Sequence, residues 1–184
     1  MATVLVPLAQ GCEELEAVTI IDLLRRAGIT VVVAGLTEGS VKASRGTVLI
    51  PDTTIDHVIN REFDMVVLPG GQPGTDNLNA DRRIHTILKR VFFDGYVVAA
   101  ICAAPKVLAE AGLLEGKRVT SFPGALDGAN VSGMVFVNTP VVKDGHVITS
   151  RGPGTAMDFA LVLIEVLVGA KKRAEVEAGL QRQK

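Results

Sequence analysis

Aromatic, histidine and cysteine residues are all scarce in this sequence. Its 184 residues include no tryptophan, one tyrosine, three histidines and two cysteines. Two cysteines do not make a disulfide framework, so we expect a reducing compartment, the cytoplasm. The histidines, at His57, His85 and His146, are far apart, and none is paired with a cysteine at the spacing of a metal site. We therefore expect no metal.

The chain also lacks long runs of positive charge and of apolar residues. Its formal net charge is −1, and without a basic patch or stacking aromatics it carries no signal for nucleic-acid binding. No uninterrupted apolar run is long enough to cross a bilayer, so we expect no membrane association. The first residues carry neither a charged segment nor a cleavage site, which predicts that there is no signal peptide.

Apolar runs alternate with helical patterns along the first two thirds of the chain. This alternation predicts an α/β fold, a doubly wound sandwich with a mostly parallel sheet. The length is that of one domain, and we interpret residues 1–184 as a single domain. Strands are predicted at Thr3–Leu8, Thr30–Leu36, Asp64–Pro69 and Val97–Ile101, and helices at about Glu13–Ala27, Ala80–Phe93 and Pro105–Ala111.

The last third of the chain has a different pattern. A strand is predicted at Arg118–Phe122, and Asp144-Gly145 lies at the turn of a β-hairpin. A strongly apolar helix follows at Ala156–Val168, and then a charged helix at Lys171–Lys184, which together form a C-terminal helical segment. Earlier in the chain, residues 41–51 are predicted to form a short hairpin.

Cys102 ends a short buried strand and is followed by two alanines and Pro105, which suits the first turn of a helix. A sharp strand-to-helix turn projects the residue at its apex outward, as in nucleophile-elbow hydrolases. Unpaired N–H groups at the helix start would favour a thiolate at Cys102. The alternative is a buried structural cysteine, which is common at such positions.

Glu16 lies in the middle of the apolar face of the first predicted helix, with Ile20 and Leu23. A carboxylate on the core face loses its hydration, so its neutral acid form is favoured. A protonated Glu16 would donate a hydrogen bond to a thiolate or to a developing oxyanion. The alternative role, a helix-dipole contact at the N-terminus, explains Glu13 better than Glu16.

Gly70 and Gly71 follow the third predicted strand and leave a backbone N–H unobstructed. Paired with the N–H of Ala103, the Gly71 N–H would form an oxyanion hole above Cys102. No nucleotide-binding motif follows these glycines, and we expect no cofactor. Cys12, in the first loop, is interpreted as a small filling residue.

Four motifs in the same order resemble the ThiJ/PfpI superfamily, in particular its Parkinson-disease-associated protein deglycase branch with the bacterial YajL-like proteins. The resemblance covers essentially the whole chain. The motifs are Gly11-Cys12-Glu13-Glu14-Leu15-Glu16-Ala17, Val67-Leu68-Pro69-Gly70-Gly71, Ala99-Ala100-Ile101-Cys102-Ala103-Ala104-Pro105 and Thr149-Ser150-Arg151-Gly152-Pro153-Gly154-Thr155.

This resemblance implies a flavodoxin-like fold and a homodimer. It implies that Cys102 is the reactive, easily oxidised cysteine and Glu16 the acid that hydrogen-bonds to it, with oxyanion N–H groups from Gly71 and Ala103. The positions near the site and the dimer interface are Glu13, Gly70, Arg26 and Arg45, with Arg45 reaching across from the other subunit.

Two departures from the family pattern concern residues beside the cysteine. Many relatives carry a histidine where this chain has Phe122, so a Cys-His dyad is not formed, although the bacterial branch shares the Phe-Pro pair. The protease-like branch carries a histidine directly after its cysteine, where this chain has Ala103, which argues against peptidase activity.

The resemblance implies glutathione-independent glyoxalase chemistry on methylglyoxal-type dicarbonyls, or removal of their adducts from proteins or nucleotides. Its partners would be small reactive aldehydes or glycated adducts. The alternative is a redox sensor or stress chaperone that acts through oxidation of Cys102. A role in thiamine-precursor metabolism has no support in these residues.

Overall fold

Seven strands form one central sheet, and helices cover both of its faces. A computed structural model describes residues 1–182 of the protein. The strands are β1 (Thr3–Leu8), β2 (Thr30–Gly35), β3 (Val41–Lys42), β4 (Val48–Leu49), β5 (Thr53–Thr54), β6 (Met65–Leu68), β7 (Val97–Ile101), β8 (Arg118–Val119), β9 (Val135–Phe136), β10 (Val141–Asp144) and β11 (Val147–Ser150).

Seven α-helices connect or follow these strands. A short 3₁₀ turn at Pro153–Thr155 precedes the last two of them. The helices are α1 (Glu14–Arg26), α2 (Ile55–Val58), α3 (Gly74–Ala80), α4 (Arg82–Phe93), α5 (Pro105–Glu110), α6 (Ala156–Val168) and α7 (Ala170–Gly179).

The central sheet has the strand order β10-β11-β7-β6-β1-β2-β5. Every neighbouring pair is parallel except β10 and β11, which form an antiparallel hairpin at the edge. From β1 the chain proceeds to one side through β2 and β5, and then returns to the other side through β6 and β7. In such sheets a crevice forms beyond the carboxyl ends of the strands where the order reverses.

Two apolar layers, one on each face, hold the helices to the sheet. Successive residues of a strand point to opposite faces, and accordingly Val4 belongs to one buried cluster and Leu5 to the other. The first layer joins the sheet to α1 and α6, and the second joins it to α4 and α5. The predicted α/β sandwich with a mostly parallel sheet and C-terminal helices is therefore confirmed.

Several local predictions need correction. The predicted helix at Ala80–Phe93 is preceded by a separate helix, α3, and the predicted strand at Arg118–Phe122 is only two residues long. Val119 of β8 pairs in parallel with Phe136 of β9, outside the central sheet. The C-terminal helix ends at Gly179, and residues 183–184 of its predicted range lie outside the described residues.

Candidate active site

Cys102 lies at the sharp turn between β7 and α5. Its φ angle is 64°, a left-handed conformation that is uncommon for a residue other than glycine. Both of its backbone polar groups are hydrogen-bonded: its N–H donates to the Ser150 carbonyl at 3.0 Å, and its carbonyl accepts from the Phe122 N–H at 2.8 Å. These two bonds hold the unusual conformation. The residue is only 9% exposed and is therefore largely withdrawn from solvent.

Glu16 extends from the first turns of α1 into the same pocket and is fully buried. Its Oε2 accepts a hydrogen bond from the Gly70 N–H at 2.8 Å. Its other oxygen, Oε1, is buried without a regular hydrogen-bond partner among residues 1–182. Burial raises the pKa of Glu16 to about 7, although the Gly70 N–H and the Cys102 thiol oppose the rise. Glu16 can therefore take up and release a proton near neutral pH.

Gly70 and Gly71 are required by the close approach of two loops. A Cβ at Gly70 would lie 2.6 Å from the Cβ of Cys102 and 2.9 Å from Oε2 of Glu16. A Cβ at Gly71, whose φ is +91°, would lie 2.4 Å from the backbone nitrogen of Glu13. That nitrogen in turn donates to the Gly70 carbonyl at 2.8 Å. The loop after β6 is thus bound to the start of α1, which places Glu16 beside Cys102.

The backbone N–H groups of Gly71 and Ala103 are directed at the sulfur of Cys102, and both lower its pKa. Within the described part of the chain neither N–H has a backbone acceptor. Two such donors can stabilise a negative charge on sulfur, or on an oxygen bound to the carbon that the sulfur attacks.

The protonation of Cys102 differs from the expectation of a favoured thiolate. Burial, followed by the charge of Glu16 and the hydrogen bond to it, raises the pKa of the Cys102 thiol to about 12. The N–H groups at the helix start act in the expected direction, but desolvation and the charge of Glu16 outweigh them. While Glu16 is ionised, the sulfur keeps its proton. Transfer of that proton to Glu16 removes the repulsion and leaves the thiolate facing two N–H donors.

Acidic side chains at the start of α1 fasten the hairpin of β3 and β4 to the site. The Ser44 hydroxyl donates to Glu13 at 3.0 Å, and the backbone N–H groups of Arg45 and Thr47 donate to Glu14. Burial works against ionisation of Glu14, but these donors lower its pKa to about 2. The side chain of Arg45 is exposed. Sequence reasoning missed this role of Glu14, and no signal in a single sequence marks a pairing across 31 residues.

The structure does not bring every predicted site residue together. Glu16, Gly70, Gly71 and Ala103 surround Cys102, with Glu13 one hydrogen bond away. Arg26 lies at the other end of α1, on the order of 15 Å from Glu16 at 1.5 Å per residue, and is paired with Asp22. Within one chain it is therefore remote from the sulfur.

Phe122 touches the site through its backbone, and its ring is 50% exposed. The ring lies beside Gly152, where a Cβ would be 3.4 Å from Phe122 Cδ2. The carbonyl of Ser150 also holds Cys102, a role that sequence reasoning missed although the Ser150-Arg151-Gly152 motif could have indicated it. Cys12 is fully buried, and burial raises the pKa of its thiol to about 11, as suits a filling residue.

Two further findings concern residues 1–182. No three side chains of His, Cys, Asp or Glu lie together in a group that could hold a metal ion. In the same part of the chain, no helix has the length and apolar character needed to span a membrane.

Comparison with known proteins shows similarity over the whole chain. The model of the DJ-1/PfpI family matches residues 2–166. Protein dj-1beta of Drosophila melanogaster is 47% identical over 178 residues, which is 96% of this chain and 95% of that protein. The glutathione-independent glyoxalase DJR-1.2 of Caenorhabditis elegans is 37% identical over 171 residues, 93% of this chain and 90% of that protein.

Solved structures agree with these sequence matches. The crystal structure of Drosophila melanogaster DJ-1beta superposes with a TM-score of 0.93 at 45% identity, covering 100% of this chain and 99% of that one. The structure of oxidized Toxoplasma gondii DJ-1 has a TM-score of 0.93 at 37% identity, with both chains covered completely.

Proposed function

The chain belongs to the DJ-1/PfpI family, and on that premise we propose that it converts α-oxo aldehydes such as methylglyoxal into hydroxy acids without glutathione. The observation that carries the proposal is the buried pair of Cys102 and Glu16, with the pKa of Glu16 raised to about 7 by burial. Similarity to a protein described as a glutathione-independent glyoxalase supports the same chemistry.

The first half of the reaction forms a bond between sulfur and carbon. Glu16 accepts the proton of the Cys102 thiol, and the thiolate attacks the aldehyde carbon. The carbonyl oxygen becomes an alkoxide, which the N–H groups of Gly71 and Ala103 stabilise. Glu16 then returns the proton to this oxygen, which gives a hemithioacetal and leaves Glu16 ionised.

The second half moves a hydrogen within the bound adduct. Ionised Glu16 removes the proton from the carbon that carries sulfur, which gives an enediolate, and delivers it to the neighbouring carbon. The hydroxyl proton of the hemithioacetal moves to the former ketone oxygen, which becomes an alcohol, and the carbon that carries sulfur becomes a carbonyl. The product is a thioester on Cys102, which water hydrolyses to lactate when the substrate is methylglyoxal. Glu16 Oε1, which has no regular hydrogen-bond partner among residues 1–182, is the atom suited to carry the proton.

The same chemistry extends to aldehyde adducts on proteins or nucleotides, which we propose as further substrates in defence against carbonyl and oxidative stress. Ala103 supplies no side chain that could assist peptide hydrolysis, so peptidase activity is not proposed. The two free, buried cysteines support a reducing cytoplasm as the place of action.

The proposal is tested by following methylglyoxal loss and lactate formation without glutathione. Native protein should form lactate, and Cys102→Ala and Glu16→Gln should each lower the rate by at least about a hundredfold. Cys12→Ala is the matched control, because it removes a buried thiol that is not part of the mechanism, and it should keep the native rate. Lactate formation that survives in Cys102→Ala would overturn the proposal.

We also propose that the protein is a homodimer. On α1, Leu15 is 51% exposed and Val18 is 46% exposed, while Val48 and Ile50 on the nearby hairpin are 59% and 84% exposed. Exposed apolar side chains on two neighbouring elements support a contact with a second copy. Sedimentation equilibrium should give twice the chain mass, and Val18→Asp should shift it toward the monomer.

A second candidate function is a redox sensor or stress chaperone that responds through Cys102. The absence of a histidine at Phe122 and the N–H groups facing the sulfur both suit an oxidised, negatively charged sulfur. A similar structure is described as that of an oxidized protein. Mass spectrometry after mild peroxide should then show two added oxygens on Cys102, and Glu16→Gln should alter the yield.

A further inference from the structure

Arg151 is a half-buried arginine beside two surface cavities. Its guanidinium hydrogen-bonds to the side-chain amide of Asn138 and has no carboxylate partner within residues 1–182. Some arginines of the fold are neutralised by carboxylates, for example Arg25 by Asp52 and Arg83 by Asp81. The positive charge of Arg151 is therefore available to an anion, and a guanidinium is well suited to bind a carboxylate.

Two cavities meet at Arg151. One, of about 450 Å³, is lined by the ring of Phe122 and by Pro140 and Pro153. The other, of about 350 Å³, continues past Pro123 to the apolar side chains Leu126, Met134 and Phe136. Both are of the size that small-molecule sites have, and either exceeds what a three-carbon aldehyde needs. Asp127 also lines the second cavity, but it is exposed, so that solvent screens its charge.

The first cavity is connected to the reactive cysteine through the backbone of Phe122. The Phe122 N–H donates to the carbonyl of Cys102 at 2.8 Å, so that the residue whose ring forms the cavity wall is bonded directly to the nucleophile's backbone. Ser150, which precedes Arg151, accepts the N–H of Cys102 at 3.0 Å. Phe122, which forms the apolar wall, and Ser150, which precedes Arg151, thus make the two backbone hydrogen bonds that fix Cys102.

We propose that Phe122 and Arg151 form a subsite for the part of the substrate beyond its reactive aldehyde, and that this subsite selects apolar, in particular aromatic, groups that carry a carboxylate. The inference rests on the proposed attack of Cys102 on aldehydes. In that step the thiol adds across the carbonyl: a carbon–sulfur bond forms, the carbon–oxygen π bond breaks, and the sulfur proton ends on the new hydroxyl. The ring then packs on Phe122 and the carboxylate pairs with Arg151.

The test uses benzaldehyde and 4-carboxybenzaldehyde, two aldehydes that differ in one carboxylate and lack the second carbonyl needed for turnover. Calorimetric titration of the native protein should show 4-carboxybenzaldehyde binding about tenfold more tightly, as a charge-assisted hydrogen bond provides. In Arg151→Gln this preference should fall to about one. Arg151→Lys should retain part of it, which shows that a loss in the glutamine variant is not a folding defect.

Two controls test whether the preference for 4-carboxybenzaldehyde depends on Arg151 in particular and whether binding depends on Cys102. Arg82→Gln removes an exposed arginine on α4 and should leave the tenfold preference unchanged. Cys102→Ala should weaken both aldehydes, because the covalent step is lost. Equal affinity of the two aldehydes for native protein, a preference that persists in Arg151→Gln, or binding that does not depend on Cys102 would each overturn the proposed subsite.

Turnover of methylglyoxal, measured beside these titrations, separates the two proposals. A native protein that prefers 4-carboxybenzaldehyde but forms no lactate supports the subsite and contradicts the proposed function. A protein that forms lactate but binds the two aldehydes equally supports the function and contradicts the subsite.

Discussion

Glu16 and Cys102 act on each other's protonation in opposite directions. The carboxylate of Glu16 raises the pKa of the Cys102 thiol, whereas the hydrogen bond from the thiol lowers the pKa of Glu16. Both effects favour the same resting state, a thiol beside a carboxylate. The reactive state needs the proton to move to Glu16.

Replacement of Glu16 by glutamine should separate thiolate formation from turnover. The neutral amide no longer repels the thiolate, so the pKa of Cys102 should fall. We expect alkylation of Cys102 by iodoacetamide at pH 8 to accelerate by about tenfold for each unit by which that pKa falls. Lactate formation should still be lost, because no group moves the proton. Glu13→Gln is the matched control, and equally slow alkylation of native and Glu16→Gln protein would argue against the pairing.

Stability should fall as the pH rises through 7, because Glu16 is buried. Its pKa rises from 4.5 to about 7 on folding, so the native state binds more protons than the unfolded state between these values. The contribution of Glu16 to the free energy of unfolding is up to about 3 kcal/mol. It is fully present below about pH 4.5 and is lost as the pH rises past 7.

Urea unfolding of native and Glu16→Gln protein between pH 5 and 8.5 measures this difference. The unfolding free energy of the native protein should decline relative to that of the variant across the range. The range avoids lower pH, where protonation of Glu14 would contribute with the opposite sign. Parallel profiles would show that Glu16 does not titrate as described.

Gly70→Ala should damage both stability and activity. The added Cβ would lie 2.6 Å from the Cβ of Cys102, and the overpacking should lower the free energy of unfolding by about 1–3 kcal/mol. Gly179→Ala is the control, since a Cβ there meets nothing within 4 Å, and it should change stability by less than about 0.5 kcal/mol. Equal stability of the two variants in thermal unfolding would refute the close approach of Gly70 to Cys102.

Glu14→Ala should loosen the turn between β3 and β4. The carboxylate accepts the N–H groups of Arg45 and Thr47 at 3.0 and 3.3 Å, and its loss should cost about 1 kcal/mol of local stability. Hydrogen exchange of these two amides should accelerate, while Glu38→Ala, an exposed control, leaves them unchanged. Unaltered protection in Glu14→Ala would mean that other contacts hold the turn.

Apolar patterning predicted the parts of the site that belong to regular elements. Helical projection placed Glu16 on the core face of α1, and the run before Cys102 indicated a buried strand that ends in a sharp turn. In contrast, α3 was missed because residues 74–80 carry no apolar periodicity, and the pairing of β8 with β9 depends on contacts far apart in the chain. The helix start beside Cys102 is visible in the sequence, whereas the burial that raises the pKa of its thiol is not.

Turnover by the Cys102–Glu16 pair is tested most directly by the number of lactate molecules formed per protein chain from excess methylglyoxal without glutathione. We predict repeated turnover, with lactate rising far above one equivalent and Cys102 recovered unmodified by mass spectrometry. Consumption that stops near one equivalent, with methylglyoxal retained on the protein, would contradict this prediction, because the Cys102–Glu16 pair would then capture aldehydes without converting them.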